Sequence, residues 1–371
     1  MRAIHFSFYH VLIFICIFQG LLLASIFLFN KKYRKKSSMA LAIGLIALSL
    51  AGVGEIIQDL ELKHAYSFLR YIPITHFSVI CFGFYYFVIY LLNPQYQLSK
   101  IDYWIFLPFI FLFLSKLVLY TIQLIDPIII KNHPTPFFIL NILANYIPVF
   151  YSLILFALAY KKVNQYHTNL FDNFSETEGK ELYWLRNLLM FSWFTCLFWL
   201  LVTTQIFLQD KRTATLYFIW IILCFITYWL GYLVILKRDV FKLPTFKKTE
   251  TTKTELSDKT AEHYQNLLQL IETEKLYLDA QLSMDILSEK LDLSNGYLSK
   301  IINQKEGKNF YDFINAYRVS EVKANLINPD YSHYSILGIG LEAGFKSKST
   351  FNAVFKKMTG MTPSNYKKTL K

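Results

Sequence analysis

Apolar residues run almost without interruption through the first two thirds of the chain, then give way to the three- and four-residue spacing of amphipathic helices. A bilayer span needs about 20 mostly apolar residues. Seven segments meet that length: His10 to Phe29, Met39 to Ile57, Ile72 to Leu92, Tyr103 to Ile122, Phe137 to Tyr160, Leu185 to Leu208 and Ala214 to Leu236. The first also resembles a signal peptide, since Arg2 precedes it, but Lys31, Lys32, Arg34, Lys35 and Lys36 follow it as a stop-transfer flank would. Aromatic residues gather near several span ends (Tyr71, Tyr103, Trp104, Tyr183, Trp184, Tyr217), where amphipathic rings favour the membrane interface. Pro148 predicts a kink in the fifth span, whereas Pro73 and Pro108 fall near helix starts, where proline is tolerated.

Beyond the last span, residues 237–258 carry Pro244, many threonines and alternating charge without apolar periodicity, the pattern of a flexible tether. Thr260 to Leu278 then places Leu267, Leu268, Ile271 and Leu278 at helical spacing. In SMDILSEKLDLSNGYLSKIINQ, Ser283 to Gln304, Ser283 caps a short helix that turns Ile286, Leu287 and Leu291 inward. Asp292 and Leu293 form a turn, and Ser294 caps a second helix burying Leu298, Ile301 and Ile302. Two short helices about a tight turn are the helix-turn-helix pattern. A longer helix from Asn309 to about Leu326 presents Phe310, Phe313, Ile314, Tyr317, Val319 and Val322 as an apolar stripe, and Asn328-Pro329-Asp330 ends it. The pattern then repeats over about 334–358: a short helix, a glycine turn at Gly344, and a helix capped by Ser347 with Phe351, Val354 and Phe355 inward. Two such units on one connecting helix are far more specific than either alone.

Composition and charge refine this division. Of 371 residues 54% are apolar and 18% aromatic, and only 17% are charged, which no ordinary soluble domain shows. The net charge of +12 suits nucleic acid, anionic lipid or cytoplasmic membrane loops alike. Cys16, Cys81, Cys196 and Cys224 lie inside apolar runs, without the spacing of a disulfide framework or a metal site. Lys31, Lys32, Arg34, Lys35, Lys36, Lys100, Lys161, Lys162, Lys180, Arg186, Lys237 and Arg238 fall in one set of alternate loops. The other set holds Lys63, Arg70, Lys131, Lys211, Arg212 and Arg2. The richer set faces the cytoplasm, which puts the N-terminus outside and the C-terminal domain inside. Glu55, His76, Lys116, Asn141, Asn145 and Gln205 project toward the outer half of their spans, as a ligand pocket open to the outside would require. Snorkelling, helix ends and interhelical amide bonds account for the same residues without a ligand.

The run GFKSKSTFNAVFKKMTGMTPSNYK, Gly344 to Lys367, resembles the signature of the AraC/XylS family of transcriptional regulators, and KNFYDFINAYRVSEVKANL resembles that family's connecting helix. The resemblance covers about Ser283 to Lys367 and implies that each second helix enters the major groove of duplex DNA, about one turn apart. It implies base contacts from Ser299, Lys300, Asn303, Lys348, Ser349 and Asn352, because Lys favours guanine and Asn adenine in that groove. Gly296 and Ala353 occupy positions where larger readers are usual. Phosphate contacts fall to Lys346, Lys356, Lys357, Lys367 and Lys368, and the chain holds no acid after Glu342. Two departures stand out. Asp292 replaces the usual turn glycine, and Gly338 and Gly340 replace alanines at about 1 kcal/mol each, which predicts a marginal second unit.

The expected architecture is therefore all-α: a polytopic seven-helix transmembrane domain (1–236), a cytoplasmic linker (237–258) and an AraC-type domain of two helix-turn-helix units joined by a long helix (259–371), sited in a bacterial inner membrane. Double-stranded DNA and the bilayer are the expected partners, with RNA polymerase, a second copy of the chain, and a small-molecule or envelope signal beside them. No cofactor, metal or catalytic residue is expected, since no phosphate loop, dinucleotide fingerprint or HExxH occurs. A transporter with a regulatory DNA-binding tail is the competing reading, although no inverted repeat supports it. A reporter enzyme fused after Lys371 is expected to be active on the cytoplasmic side only, and activity outside the cell would reverse the orientation.

Overall fold

The computed structural model describes residues 7–60, 62, 77–125, 134–209, 215–236, 243–244 and 259–370. His76, Pro73, Lys371 and nearly all of the expected tether lie outside the described residues, as do the side chains of Lys116 and Asn141. The described residues are helical, without a strand beyond one isolated bridge. They cluster into two compact units, one of residues 1–164 with 182–243, the other of 165–181 with 244–371.

The first unit contains helices α1 (Phe8–Phe29), α2 (Lys36–Asp59), α3 (Phe77–Leu92), α4 (Lys100–Ile125), α6 (Tyr183–Gln209) and α7 (Thr215–Leu236), together with most of α5 (Pro134–Asn173). Among the described residues four helical stretches are long and apolar enough to cross a membrane: α1, α2, Ile142–Asn173 within α5, and α6. α2 packs on both α1 and α3, and α7 on α1 and α6. Small residues permit the α2–α3 approach, since a Cβ on Gly83 would stand 2.6 Å from the Gly44 nitrogen. Polar ends are tied together as well. His10 Nε2 lies 2.9 Å from Asp59 Oδ2, and the Tyr217 hydroxyl donates to the same oxygen at 2.7 Å, joining α1, α2 and α7.

α5 departs from its expected end at Tyr160 and continues to Asn173. Val163, Tyr166, His167 and Leu170 are buried at helical spacing, so an apolar stripe carries the helix through a polar sequence that contains no breaker.

The second unit holds α8 (Thr260–Thr273), α9 (Met284–Leu291), α10 (Asn295–Glu306), α11 (Phe310–Ile327), α12 (Ile336–Glu342), α13 (Lys348–Thr359) and α14 (Pro363–Thr369). The lead-in helix ends earlier than expected. Lys275 adopts a left-handed backbone (φ +46°), and a 3₁₀ turn, Leu276–Leu278, buries Tyr277 instead of extending the helix.

Two apolar cores form, and α11 contributes to both. Phe310, Phe313 and Ile314 join Leu267, Ile271, Leu287, Leu298 and Ile302 in the first. Val319 and Val322 join Ile339, Phe345, Phe351, Val354 and Phe355 in the second. With about 1.5–3 kcal/mol for each fully buried large side chain, these two cores supply the main folding force.

Gly340 has a packing reason. A Cβ there would stand 2.7 Å from the Phe351 ring, so α12 needs glycine to lie against α13. Overpacking costs about 1–3 kcal/mol, against about 1 kcal/mol of helix propensity that alanine returns. Gly340→Ala is therefore expected to lower the thermal midpoint, and a rise in that midpoint would show propensity outweighing packing.

Candidate nucleic-acid interface

Each helix-turn-helix unit is set by its turn and its cap. In the first, Asp292 closes α9 in the left-handed region (φ +51°), as the sequence anticipated for a residue standing in for glycine. The Ser294 side chain accepts from the Tyr297 backbone at the start of α10, whereas Ser283 holds its cap position without a side-chain bond. Asn295 donates to Asp285 and so links α10 to α9. In the second unit Gly344 has φ +92°, and a Cβ there would meet the Tyr277 carbonyl at 2.4 Å, so both conformation and space demand glycine. Ser335 and Ser347 cap α12 and α13, and Thr362 caps α14.

These restraints fix which faces turn outward. On α10, Lys300 and Asn303 are exposed and Ser299 is half-buried. Asn303 donates back to the Ser299 carbonyl at 2.9 Å. On α13, Lys348 and Ser349 are exposed and Asn352 half-buried, while Phe351, Val354 and Phe355 face the core. Lys346, Lys356, Lys357 and Lys368 are exposed, Lys367 is half-buried, and Lys357 pairs with Asp312 of α11 at 2.6 Å. The surface suits duplex DNA: two helices present amide, hydroxyl and ammonium donors, with lysines around the second. Among the residues proposed from the sequence for a membrane pocket, Gln205 accepts from Thr215 at 3.2 Å, Glu55 is half-buried on α2 and Asn145 is exposed on α5. None of them lines the apolar cavity of about 80 Å³ that Leu48, Phe84, Trp199 and Leu230 help to enclose in the first unit.

Sequence reasoning missed the polar node that holds this surface in place. Arg318 of α11 is fully buried, and all five of its N–H donors are used without a carboxylate. Nε donates to the Tyr277 carbonyl at 2.7 Å. One terminal nitrogen donates to the Ser175 carbonyl at 3.0 Å and to Asn315 Oδ1 at 3.3 Å. The other donates to the Ser175 hydroxyl at 3.0 Å and to the Asp279 carbonyl at 2.7 Å. Burial pushes the guanidinium pKa down to about 10, which leaves it charged at neutral pH. A faint signal existed: Arg318 falls four residues after Ile314 and four before Val322, on the apolar stripe itself.

Ser175 belongs to a segment, residues 165–181, that clusters with this unit. Its backbone N–H and its hydroxyl both donate to the Leu282 carbonyl, and Phe174 forms an antiparallel bridge with Ser283. Past that root, Glu178 accepts from the Ser349 hydroxyl and, at 3.3 Å, from that of Thr350, and Glu176 Oε1 also lies 3.3 Å from the Thr350 hydroxyl. The Ser347 and Ser349 hydroxyls hold the Glu178 carboxyl below its ordinary range.

Replacing Arg318 with Met would leave the buried Tyr277 carbonyl without its donor and strip the Ser175 carbonyl of its 3.0 Å donor, at about 1–3 kcal/mol each. The second unit is expected to unfold at clearly lower temperature in Arg318→Met, and Lys is a poor substitute because a point charge cannot supply the planar fork. A midpoint unchanged by either replacement would show that the node does not hold the unit.

Comparison with known proteins agrees with this geometry. Residues 287–369 match the model of a helix-turn-helix domain family, an interval spanning both units from within α9 to the end of α14. An uncharacterized HTH-type transcriptional regulator of Staphylococcus aureus (strain COL) is 33% identical over 93 residues, covering 25% of this chain and 12% of the relative. The uncharacterized HTH-type transcriptional regulator YtdP of Bacillus subtilis (strain 168) is 26% identical over 142 residues, 35% of this chain and 18% of its own length. The chain thus spans under a fifth of either relative. No solved structure matches. The C-terminal part of the chain is therefore a helix-turn-helix domain, similar over that stretch to HTH-type transcriptional regulators.

Proposed function

We propose that this chain is a membrane-anchored, sequence-specific transcriptional regulator in which the C-terminal double helix-turn-helix domain reads duplex DNA. The observation that carries the reading is the pair of serine-capped helices, α10 and α13, each turning polar donors outward from its own apolar core. Relatives over this stretch carry the name of HTH-type transcriptional regulators.

Four long apolar helices support the anchoring. So does the surface of the first unit, where Phe18, Trp104 and Leu201 are 71%, 72% and 67% exposed, an arrangement favoured by lipid and disfavoured by water. Under the positive-inside bias the seven apolar segments cross a bacterial inner membrane with the N-terminus outside and the DNA-binding domain in the cytoplasm. The polar residues Glu55, His76, Lys116, Asn141, Asn145 and Gln205 then supply an extracytoplasmic signal site. Promoter action brings in RNA polymerase, and a second copy of the chain would double the groove contacts.

Within the domain, Ser299, Lys300, Asn303, Lys348, Ser349 and Asn352 read bases, while Lys346, Lys356, Lys357, Lys367 and Lys368 neutralise phosphates. Genome-wide occupancy of the full-length protein, recovered from the membrane fraction, is expected at discrete promoter sites. On the duplexes so found, Lys348→Ala and Asn352→Ala should relax sequence preference by about 1–3 kcal/mol at one position. Lys356→Ala should weaken all sequences alike and lower the salt slope by about one. Occupancy without discrete sites, or equal losses on specific and random duplexes for all three variants, would remove the reading.

A further inference from the structure

The acids missing from the C-terminal tail of the second unit are supplied by another part of the chain. No Asp or Glu follows Glu342, yet two carboxylates from more than 160 residues upstream sit at the start of α13. Glu178 bonds to Ser349, one of the base-reading candidates, and to Thr350 one residue later. Recognition helices meet base edges with their N-terminal residues, and helix N-termini favour anions such as phosphate. The carboxylates therefore stand where groove and backbone would have to enter.

We propose that residues 176–180, the segment between α5 and α6, form an intramolecular cover over the N-terminal end of α13 that imitates the DNA backbone and must withdraw before the second helix-turn-helix unit can engage a duplex. The proposal rests on the DNA-binding reading and adds its regulation.

The cover has a firm root and an exposed tip at Glu178 and Gly179, beyond which the Lys180 carbonyl accepts from the Tyr166 hydroxyl at 2.8 Å. At the root, Ser175 is locked by Arg318 and by Leu282. At the tip, Gly179 takes a left-handed turn (φ +77°), and a Cβ there would meet nothing within 4 Å. Glu176 is 5% exposed, and its Oε2 has no hydrogen-bond partner among the described residues. The charges of Arg318 and Lys180 offset part of the cost of burying that oxygen, and the tip can be displaced without loss of its anchor at Ser175. Lys180 restrains it locally, donating to the Glu176 carbonyl at 3.1 Å. Duplex phosphates would be repelled by Glu176 and Glu178 in the closed position, and Lys346 beside them would gain a phosphate once they left. In the first unit Asn295 at the start of α10 donates to Asp285 of the neighbouring α9, and no acid from outside the unit bonds to the exposed face of α10 among the described residues, so that this unit stays open to DNA.

The test uses the full chain in lipid nanodiscs with a duplex carrying a site found by occupancy mapping. Wild-type protein is expected to protect the half-site of the first unit at low protein concentration and that of the second only at much higher concentration. Glu178→Ala, which removes an exposed side chain, is expected to lengthen the footprint by about one helical turn and to raise affinity at least tenfold. A general loss of negative charge would tighten binding without lengthening the footprint, and that result would overturn the proposal. Glu342→Ala, which removes an exposed acid of the same unit outside the cover, is expected to keep the wild-type footprint. Equal footprints from Glu178→Ala and Glu342→Ala would overturn the cover alone, whereas no protection by any form would overturn the DNA-binding reading with it.

Discussion

The second unit depends on keeping one buried cation satisfied. Moving a charge out of water carries an effective penalty of several kcal/mol even after relaxation, and Arg318 meets it with oxygens of neutral groups at every donor position. The planar fork dictates where these oxygens must lie, so the 3₁₀ turn at Tyr277, the Asp279 carbonyl and the Ser175 segment are brought to one point on α11. A lysine, with three rotatable donors on a point charge, would impose no such geometry. The node lies between the residues α11 gives to the first core and those it gives to the second, so one helix sets the register of both.

From that arrangement the recognition surface follows with little further freedom. Each outward helix starts at a serine cap and has its inner face buried in its own core. Gly344 and Gly340 serve this packing in different ways. The first lets the turn pass against the Tyr277–Leu278 backbone, and the second lets α12 lie on the Phe351 ring. The helix propensity forgone at Gly340 is thus exchanged for contact between the two helices of the second unit.

The Ser175 root has a functional side as well. It holds the exposed Glu178 carboxylate beside the lysine-rich second unit, bonded to Ser349. Two states of similar free energy make a switch, since a modest difference in affinity between them shifts the population. Under the proposed cover, DNA supplies such a difference by competing for the same hydroxyls and the same positive field.

Much of this molecule was legible before its structure. The apolar runs marked the helices of the first unit. The caps at Ser294 and Ser347, the turns at Asp292 and Gly344, and the inward Phe351, Val354 and Phe355 are all readable because caps, turns and stripes depend on neighbours within about four residues. Polar residues after Tyr160 mask the stripe that continues α5 to Asn173, and Tyr277, turned inward by tertiary contacts, ends the lead-in helix before Leu278. By itself, then, the sequence determined which segments are helical, those two ends apart, and which of their faces are apolar. Only the tertiary structure decided that Arg318 would be buried without a carboxylate and that Glu178 would rest on Ser349. Those contacts join residues more than 140 positions apart, and no periodicity within a helix records what the folded chain brings to its surface.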